Sequence, residues 1–190
     1  MSNLKYLGNN NTIINCKFVG EEIVIENNCT LKNCLIADKT IITDSYLENS
    51  LIGKNCSIGP FSHMRGNNNV ADNCKIGNFV ELKNSQLGQG VKVAHLSYIG
   101  DAIVGDRTKI GCGVVCANYN GVMKNISKVG SDCFIGSNVN IVAPVNIANN
   151  TFVCAGTTIT DNTTDGAFII GRVKAEEKSN YKYYLKNKVK

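Results

Sequence analysis

The stretch Ile52-Gly53-Lys54-Asn55-Cys56-Ser57-Ile58-Gly59 contains the pattern that decides the fold. An aliphatic residue followed by a small one recurs here after six residues, and further copies of this pair follow at intervals close to multiples of six. The copies are Ile52-Gly53, Ile58-Gly59, Ile76-Gly77, Leu87-Gly88, Ile99-Gly100, Ile110-Gly111, Val129-Gly130 and Ile135-Gly136. Such a step is too short for a helical repeat and fits a short strand followed by a tight turn, with the aliphatic side chain pointing inward. Three steps make one coil of about eighteen residues in a parallel β-helix of the hexapeptide class.

The fifth residue of each step is small or branched, and this position accounts for several of the cysteines. Those at the fifth position are Cys29, Cys56, Cys74 and Cys133. In a narrow core a cysteine behaves as a small hydrophobic residue, so we expect these four to be packing residues. The odd number of cysteines argues against a disulfide scaffold. Cys112 and Cys116 form a CxxxC pair, but the chain has only two histidines, and we expect no metal site.

We expect one β-helix domain over residues 1–190, with coils from about residue 13 to residue 164. Several steps hold five residues rather than six, and asparagine-rich segments such as Gly66-Asn67-Asn68-Asn69 predict corners, although a compositional bias toward asparagine is an alternative explanation. An excursion loop at 117–128 interrupts the repeat, and excursions from a rigid scaffold often carry function. A tail rich in lysine and tyrosine, residues 172–190, follows the repeat as a short helix or an unstructured end.

The charge balance indicates small anionic ligands rather than nucleic acid. Lys and Arg total 20 against 15 Asp and Glu, a formal charge of +5, and no platform of stacking aromatic residues accompanies the basic tail. Nothing near Met1 resembles a signal peptide, and no apolar run is long enough to span a membrane. We therefore expect a cytoplasmic protein that does not bind membranes or nucleic acids.

Counting steps places residues of successive coils in columns, because stacked coils lie about 4.8 Å apart. If the loop counts as one step, the third residue of each first-face step is, in order, His95, Cys112, Ser137 and Ala155. A second column, on the neighbouring face, contains Arg65 and Lys83. Two cations one coil apart suit a phosphate group. We expect His95 to be functional, whereas His63 lacks such neighbours and reads as a surface residue.

These residues belong to longer motifs that resemble one known family. The motifs are Ile58-Gly59-Pro60-Phe61 with Arg65, Gly77-Asn78-Phe79-Val80-Glu81-Leu82-Lys83, His95-Leu96-Ser97-Tyr98-Ile99-Gly100-Asp101-Ala102, Ala117-Asn118-Tyr119-Asn120-Gly121 and Val142-Ala143-Pro144-Val145. From about Ile52 to Arg172 the chain resembles the C-terminal acetyltransferase domain of the bifunctional glucosamine-1-phosphate acetyltransferase/N-acetylglucosamine-1-phosphate uridyltransferase family. The resemblance implies a left-handed β-helix, an exception to the usual right-handed crossover, and a homotrimer with active sites between subunits.

The resemblance also implies acetyl transfer from acetyl-CoA to the amine of glucosamine-1-phosphate, without a metal. It makes His95 the general base, oriented by Glu81 unless that carboxylate pairs with Lys83, and backbone N–H groups near Cys112 would stabilise the oxyanion. The residues implied to bind the sugar phosphate are Arg65, Lys83, Tyr98, Lys109 and Lys124. Those implied to line the acetyl-CoA path are Cys112, Asn118, Tyr119, Ser137, Ala155 and Arg172.

Two substitutions and one missing segment separate this chain from the family pattern. Lys109 replaces a sugar-contacting asparagine, and Ile126 replaces a second loop lysine. Nothing before Ile13 resembles the nucleotide-binding half, so we expect no uridyl transfer from these residues. The alternatives are an acetyltransferase for a different amino- or hydroxy-sugar and a non-catalytic hexapeptide trimer. A hexapeptide carbonic anhydrase would need three metal-binding histidines, which this chain does not have.

Overall fold

The computed structural model describes residues 4–177, and these form a left-handed parallel β-helix built from 27 short strands. The strands form three parallel sheets, one for each side of the coil, with ten, nine and eight strands. Each strand pairs with the strand three places further along the chain until the last coil, where β25 pairs with β27. The fold class that the repeat predicts is therefore confirmed.

Sheet 1 carries the first face of every coil. Its strands are β1 (Leu4–Leu7), β4 (Ile23–Ile25), β7 (Ile41–Ile42), β10 (Ser57–Ile58), β13 (Lys75–Asn78), β16 (Lys92–His95), β19 (Lys109–Ile110), β22 (Phe134–Ile135), β25 (Phe152–Val153) and β27 (Phe168–Ile169). The solenoid thus extends beyond the expected coils at both ends.

Sheets 2 and 3 carry the other two faces. Sheet 2 contains β2 (Thr12–Ile14), β5 (Thr30–Lys32), β8 (Tyr46–Glu48), β11 (His63–Arg65), β14 (Glu81–Lys83), β17 (Tyr98–Gly100), β20 (Val115–Ala117), β23 (Asn140–Val142) and β26 (Thr158–Ile159). Sheet 3 contains β3 (Lys17–Val19), β6 (Leu35–Ala37), β9 (Ser50–Ile52), β12 (Asn68–Val70), β15 (Gln86–Leu87), β18 (Ala102–Val104), β21 (Ser127–Val129) and β24 (Val145–Ile147).

One narrow hydrophobic core fills the inside of the coils. Each step contributes its aliphatic residue and its small fifth residue, so that branched and small side chains alternate around each coil and residues of one kind stack along the axis. The four fifth-position cysteines are all buried, as predicted, and burial raises the pKa of the Cys29 and Cys133 thiols. All nine cysteines are free, and Cys34 and Cys116 are buried as well. The cysteines of the core are therefore packing residues and do not form disulfide bonds.

The corners are made by residues in the left-handed backbone region, mostly asparagine and glycine. Asparagines one coil apart bond to each other, as Asn15 Nδ2 does to Asn33 Oδ1 at 3.0 Å and Asn33 Nδ2 to Asn49 Oδ1 at 3.0 Å. The asparagine-rich segment at residues 66–69 is only partly a corner. Gly66 turns at a φ of 73°, whereas Asn68 is buried within β12.

The corner between sheets 1 and 2 departs from this chemistry at three successive coils. Phe61, Phe79 and Leu96 adopt φ angles of 57°, 57° and 38°, which are unfavourable for residues without an asparagine or glycine side chain. All three side chains are exposed, and the rings of Phe61 and Phe79 stack with centroids 5.5 Å apart. We call these three residues the corner ridge. Exposed apolar residues held in a strained conformation indicate a selected surface.

The excursion loop is a small hairpin that leaves the stack between β20 and β21. It occupies 118–126, and Tyr119 and Lys124 form an antiparallel bridge. The stack resumes without a shift of register, because Ala102 pairs directly with Ser127 and Val104 with Val129. Residues 172–177 form neither strand nor helix, and the remainder of the lysine–tyrosine tail lies outside the described residues.

Candidate functional site

His95 stands at the end of β16, at the corner between sheets 1 and 2. In sheet 1, Lys92 of this strand pairs with Lys109 in the next coil, Lys109 pairs with Phe134, and Phe134 pairs with Phe152. His95 lies three residues after Lys92. The residues three positions after Lys109, Phe134 and Phe152 are Cys112, Ser137 and Ala155, so they line up with His95. The column predicted by counting steps is therefore present in the structure, and it runs along the edge of sheet 1 from an exposed imidazole.

The side chain that orients His95 is Asn78, which sequence reasoning missed. Asn78 pairs with His95 one coil earlier, and its Oδ1 lies 2.8 Å from His95 Nδ1. Because an amide oxygen only accepts hydrogen bonds, this contact favours the tautomer with the proton on Nδ1 and the lone pair on Nε2. The available signal was the separation of 17 residues, one coil, between the two.

Glu81 does not contact His95 or Lys83, so both suggestions made for it are wrong. It lies on sheet 2 beside Arg65, and its Oε1 accepts from Arg65 Nε at 2.6 Å and from Nη2 at 2.6 Å. A guanidinium that reaches one carboxylate oxygen with two nitrogens is held in place. Glu81 therefore positions Arg65.

Lys83 lies directly beside Arg65 in the next coil, as the second predicted column requires, but it is buried. Its Nζ donates to Asp101 at 2.9 Å. Burial on its own lowers the pKa of the Lys83 ammonium, but the contact with Asp101 outweighs it and raises that pKa above its ordinary value. Lys83 is therefore a fixed positive charge.

Asp101 is the second functional residue that sequence reasoning missed. Besides Lys83 it accepts from Asn84 Nδ2 at 3.1 Å and from the side-chain amide of Asn118. Burial on its own raises the pKa of Asp101, but these donors outweigh burial and hold that pKa below its usual value. The carboxylate thereby ties the hairpin to sheet 2. Its position one coil after Asn84, at the end of an asparagine corner, was the available signal.

The hairpin brings a third cation to this place. Lys124 is exposed, and the neighbouring Lys83 ammonium lowers the pKa of Lys124, with Arg65 adding to the effect. Within residues 4–177, Arg65, Lys83 and Lys124 together face two carboxylates, those of Glu81 and Asp101. The cluster therefore keeps an excess of positive charge at the corner between sheets 2 and 3, where an anion would be stabilised.

Tyr98 lies across sheet 2 between His95 and this cation cluster. Its hydroxyl accepts from Asn118 Nδ2 at 3.3 Å. A Cβ at Gly100 would collide with the Tyr98 hydroxyl, so the missing side chain at that position lets the ring lie flat. The face of sheet 2 between the imidazole and the cations is therefore lined by one aromatic ring.

Of the remaining residues implied for the acetyl-CoA path, Arg172 lies at the column of His95, whereas Asn118 and Tyr119 lie in the hairpin at the opposite edge of sheet 2. Arg172 Nη1 donates to the Ala155 carbonyl at 3.1 Å, and the Tyr119 hydroxyl donates to the Gly121 carbonyl at 2.7 Å within the hairpin. Near Cys112, the N–H of Gly113 already bonds to the Leu96 carbonyl at 2.9 Å and is not free for an oxyanion.

Lys109, which the resemblance implies for binding the sugar phosphate, lies apart from the other residues implied for that role. It lies on the outer face of sheet 1, between Lys92 and Phe134, rather than on sheet 2 with the other cations. Between residues 4 and 177, no group of three His, Cys, Asp or Glu side chains is placed to hold a metal ion, and no helix could cross a membrane.

Comparison with known proteins identifies relatives over most of the chain. A family model described as GlmU-like, C-terminal hexapeptide matches residues 14–112. The chain is 44% identical over 171 residues to the bifunctional protein GlmU of Geobacillus sp. (strain WCH70), covering 90% of this chain and 37% of that protein. It is 42% identical over 163 residues to the same-named protein of Staphylococcus haemolyticus (strain JCSC1435), covering 86% and 36%. The chain thus spans little more than a third of the curated relatives it matches.

Solved structures share the fold at low identity. LpxA, a UDP-N-acetylglucosamine acyltransferase from Bacteroides fragilis 9343, aligns with a TM-score of 0.56 and 19% identity over 85% of this chain and 70% of that one. The Arabidopsis UDP-N-acetylglucosamine acyltransferase aligns with a TM-score of 0.54 and 10% identity over 87% and 66%. By its sequence match and its coils, the chain belongs to the GlmU-like C-terminal hexapeptide family.

Proposed function

We propose that the protein transfers the acetyl group of acetyl-CoA to the amine of glucosamine-1-phosphate, with His95 as general base. The observation that carries this proposal is the pair His95–Asn78, which leaves Nε2 of the imidazole unprotonated at the end of a column of short side chains. Relatives named for the bifunctional protein GlmU, at 41% to 44% identity, support the reaction class.

In the proposed reaction, the amine nitrogen of the sugar attacks the thioester carbonyl, and His95 Nε2 takes a proton from that amine. The tetrahedral intermediate then collapses, the bond from carbon to sulfur breaks, and the CoA thiolate receives the proton from the imidazolium. No bond forms between the enzyme and the acetyl group. General base catalysis of this kind contributes about 10² to 10⁴-fold to a rate, and Asn78 holds the ring in the reactive tautomer throughout.

The substrates fit the two sides of His95. The column through Cys112, Ser137 and Ala155 offers a path for the pantetheine arm, with Arg172 at its far end. Asn118 and Tyr119, which the resemblance also implies for acetyl-CoA, lie in the hairpin at the opposite edge of sheet 2. On sheet 2, Arg65, Lys83 and Lys124 take the phosphate, while Tyr98 supports the sugar ring. Lys109 approaches the sugar only from the outer face of sheet 1.

We further propose that the active molecule is a homotrimer whose sites lie between subunits. The corner ridge supports this, because it places three exposed apolar residues directly beside Asn78 and His95, and a second copy would cover them. The place of action is the cytoplasm, where acetyl-CoA is available.

The experiment is an acetylation assay with glucosamine-1-phosphate beside other aminosugars and hydroxy-sugars. We expect turnover with glucosamine-1-phosphate, and we expect His95→Ala to lower kcat at least about a hundredfold while leaving the oligomer intact. His63→Ala is the matched control, because His63 is equally exposed but packs edge-on against Tyr46. A His95→Ala rate equal to that of the control contradicts the base assignment.

A second candidate is acetyl transfer to a different sugar, and two residues favour it. Lys109 stands where the family has an asparagine and Ile126 where it has a lysine, so the positive charge of the acceptor site is distributed differently. Turnover of another acceptor, with none of glucosamine-1-phosphate, supports this second candidate. No turnover of any acceptor in the presence of acetyl-CoA binding indicates a non-catalytic trimer.

A further inference from the structure

Three phenylalanine rings stack on the outer face of sheet 1 in the last coils. Phe134 pairs with Phe152 and Phe152 pairs with Phe168, so the three residues occupy one register position in consecutive coils. Their ring centroids lie 4.8 Å and 5.3 Å apart, and the ring planes differ by 13° and 21°. The rings therefore follow one another along the axis of the solenoid. We call them the phenylalanine pile.

The phenylalanine pile runs beside the last part of the column proposed for the pantetheine arm. Phe134 precedes Ser137 of that column by three residues, and Phe152 precedes Ala155 by three. Gly136 lies between the pile and the column. A Cβ at Gly136 would meet the backbone nitrogen of Ala155 at 2.6 Å, so the coils are packed too closely there for a side chain. The pile and the column are thus separated by a flat strip of backbone.

The distance along sheet 1 matches the length of CoA. Four coil steps separate the strand of His95 from that of Phe168, or about 19 Å at a coil spacing of about 4.8 Å. The pantetheine arm has about thirteen bonds between its sulfur and the first phosphorus, which span about 16 Å when extended. A CoA molecule with its sulfur at His95 and its arm along the column therefore brings its nucleotide end to the last coil.

Phe168 ends the pile, and its side chain is the most exposed of the three. Phe168 is 65% exposed, against 41% for Phe152. One face of its ring stacks on Phe152, and among residues 4–177 no second ring stacks on the other face. Nucleic-acid bases stack on aromatic side chains, because every base has a flat π-face. The outer face of Phe168 can therefore accept a base.

A cation for the phosphates of the same nucleotide lies in the last coil as well. Arg172 is exposed, and its Nη1 donates to the Ala155 carbonyl at 3.1 Å. Within residues 4–177, Arg65 and Arg107 each lie within 4.0 Å of a carboxylate, whereas Arg172 does not. A guanidinium without a carboxylate partner is available to a phosphate group. The end of the solenoid thus offers both an aromatic ring and a positive charge.

We propose that Phe168 binds the adenine of CoA, which stacks on the outer face of the ring and continues the phenylalanine pile by one step. This inference rests on the proposed function, because acetyl-CoA supplies the adenine. Arg172 then binds the phosphates, and the base is fixed beyond them.

The test is CoA binding to the full chain, measured by titration calorimetry. We expect Phe168→Leu to bind CoA about tenfold more weakly than the wild type, because the base loses its stacking partner. Phe168→Tyr keeps a ring and should bind CoA as the wild type does. Phe134→Leu is the matched control, because it removes the ring at the other end of the pile and should leave the affinity unchanged. Phosphopantetheine, which lacks the adenosine, should bind all four proteins equally.

Three results would overturn the inference. One is equal CoA affinity of Phe168→Leu and the wild type, and another is an equal loss in Phe134→Leu, which would show a general effect on the pile. The third is a change of oligomeric state in Phe168→Leu at unchanged CoA affinity, which would show that a second copy covers the ring.

Failure of this inference is distinguishable from failure of the proposed function. If Phe168→Leu loses CoA affinity while the wild type acetylates no sugar, the adenine site stands and the proposed acetyl transfer is wrong. If the wild type acetylates glucosamine-1-phosphate while both proteins bind CoA equally, the proposed function stands and the adenine lies elsewhere.

Discussion

At the residue scale, the activity proposed here depends on which nitrogen of one imidazole carries the proton. Asn78 decides this by accepting from His95 Nδ1. A neutral amide fixes the tautomer without adding charge, whereas a carboxylate would also favour the protonated ring. Asn78 is therefore a positioning residue whose effect is visible in the pH dependence of the rate.

We predict that Asn78→Ala lowers kcat by about tenfold, because the ring is no longer held in the reactive tautomer, with little change in KM for acetyl-CoA. Asn78→Asp should restore orientation but shift the acid limb of the pH–rate profile upward, because the carboxylate stabilises the protonated imidazole. Initial rates measured across pH test both expectations. Unchanged profiles in both variants would show that Asn78 only fills space.

The sequence predicts the place of His95, Arg65 and Lys83 but not their partners. Counting coils requires only that the aliphatic pattern be read correctly, so the columns follow from the repeat. Partners depend on which way each side chain turns at a corner. Glu81 was expected near His95 or Lys83 and instead binds Arg65. The position of Asp101 one coil after Asn84 indicates a partner at the corner, but the sequence does not indicate that its carboxylate accepts from three donors.

At the scale of the element, corners carry more information than strands. Most corner positions hold asparagine or glycine, as the left-handed conformation requires. The corner ridge does not, and it could not be foreseen because turn chemistry argues against phenylalanine and leucine there. Among the described residues, apolar side chains at such corners occur only in the coils around His95, which is where the proposed trimer would need an apolar contact.

We predict that Phe79→Asn separates assembly from folding. Asparagine tolerates the left-handed φ. The free energy of unfolding of the isolated chain should therefore stay unchanged or increase by up to about 1 kcal/mol. The trimer should nevertheless dissociate, with loss of activity. Light scattering and denaturant titration measure the two effects. Phe168→Asn is the control, since it removes an exposed ring that also stacks on one neighbour, from the face of sheet 1, and should leave assembly intact.

At the scale of the whole molecule, each coil contacts only the coils above and below it. Contacts between strands are therefore confined to neighbours in each sheet, and stability is approximately a sum over coils and their interfaces. The central coils, which hold the site, have two neighbours each, whereas the end coils have one.

We predict a gradient of backbone protection from the centre to both ends. Amides of β13 to β23 should exchange with deuterium slowest, and those of β1 to β3 and of β25 to β27 fastest, because end coils open without disturbing the rest. Hydrogen exchange read by mass spectrometry resolves this by peptide. Uniform protection along the solenoid would mean that the molecule opens only as one unit.

The hairpin at 118–126 enters and leaves the solenoid at one rung, with Ser127 meeting Ala102 as though nothing intervened. The length and the sequence of that insertion can therefore change during evolution without altering the strand pairing of any coil. Because the insertion contributes Lys124 while the imidazole belongs to the scaffold, a change in the insertion can alter the acceptor preference of the proposed reaction without moving His95. Grafting alternative hairpins at this rung is accordingly the most economical route to enzymes that acetylate other sugars.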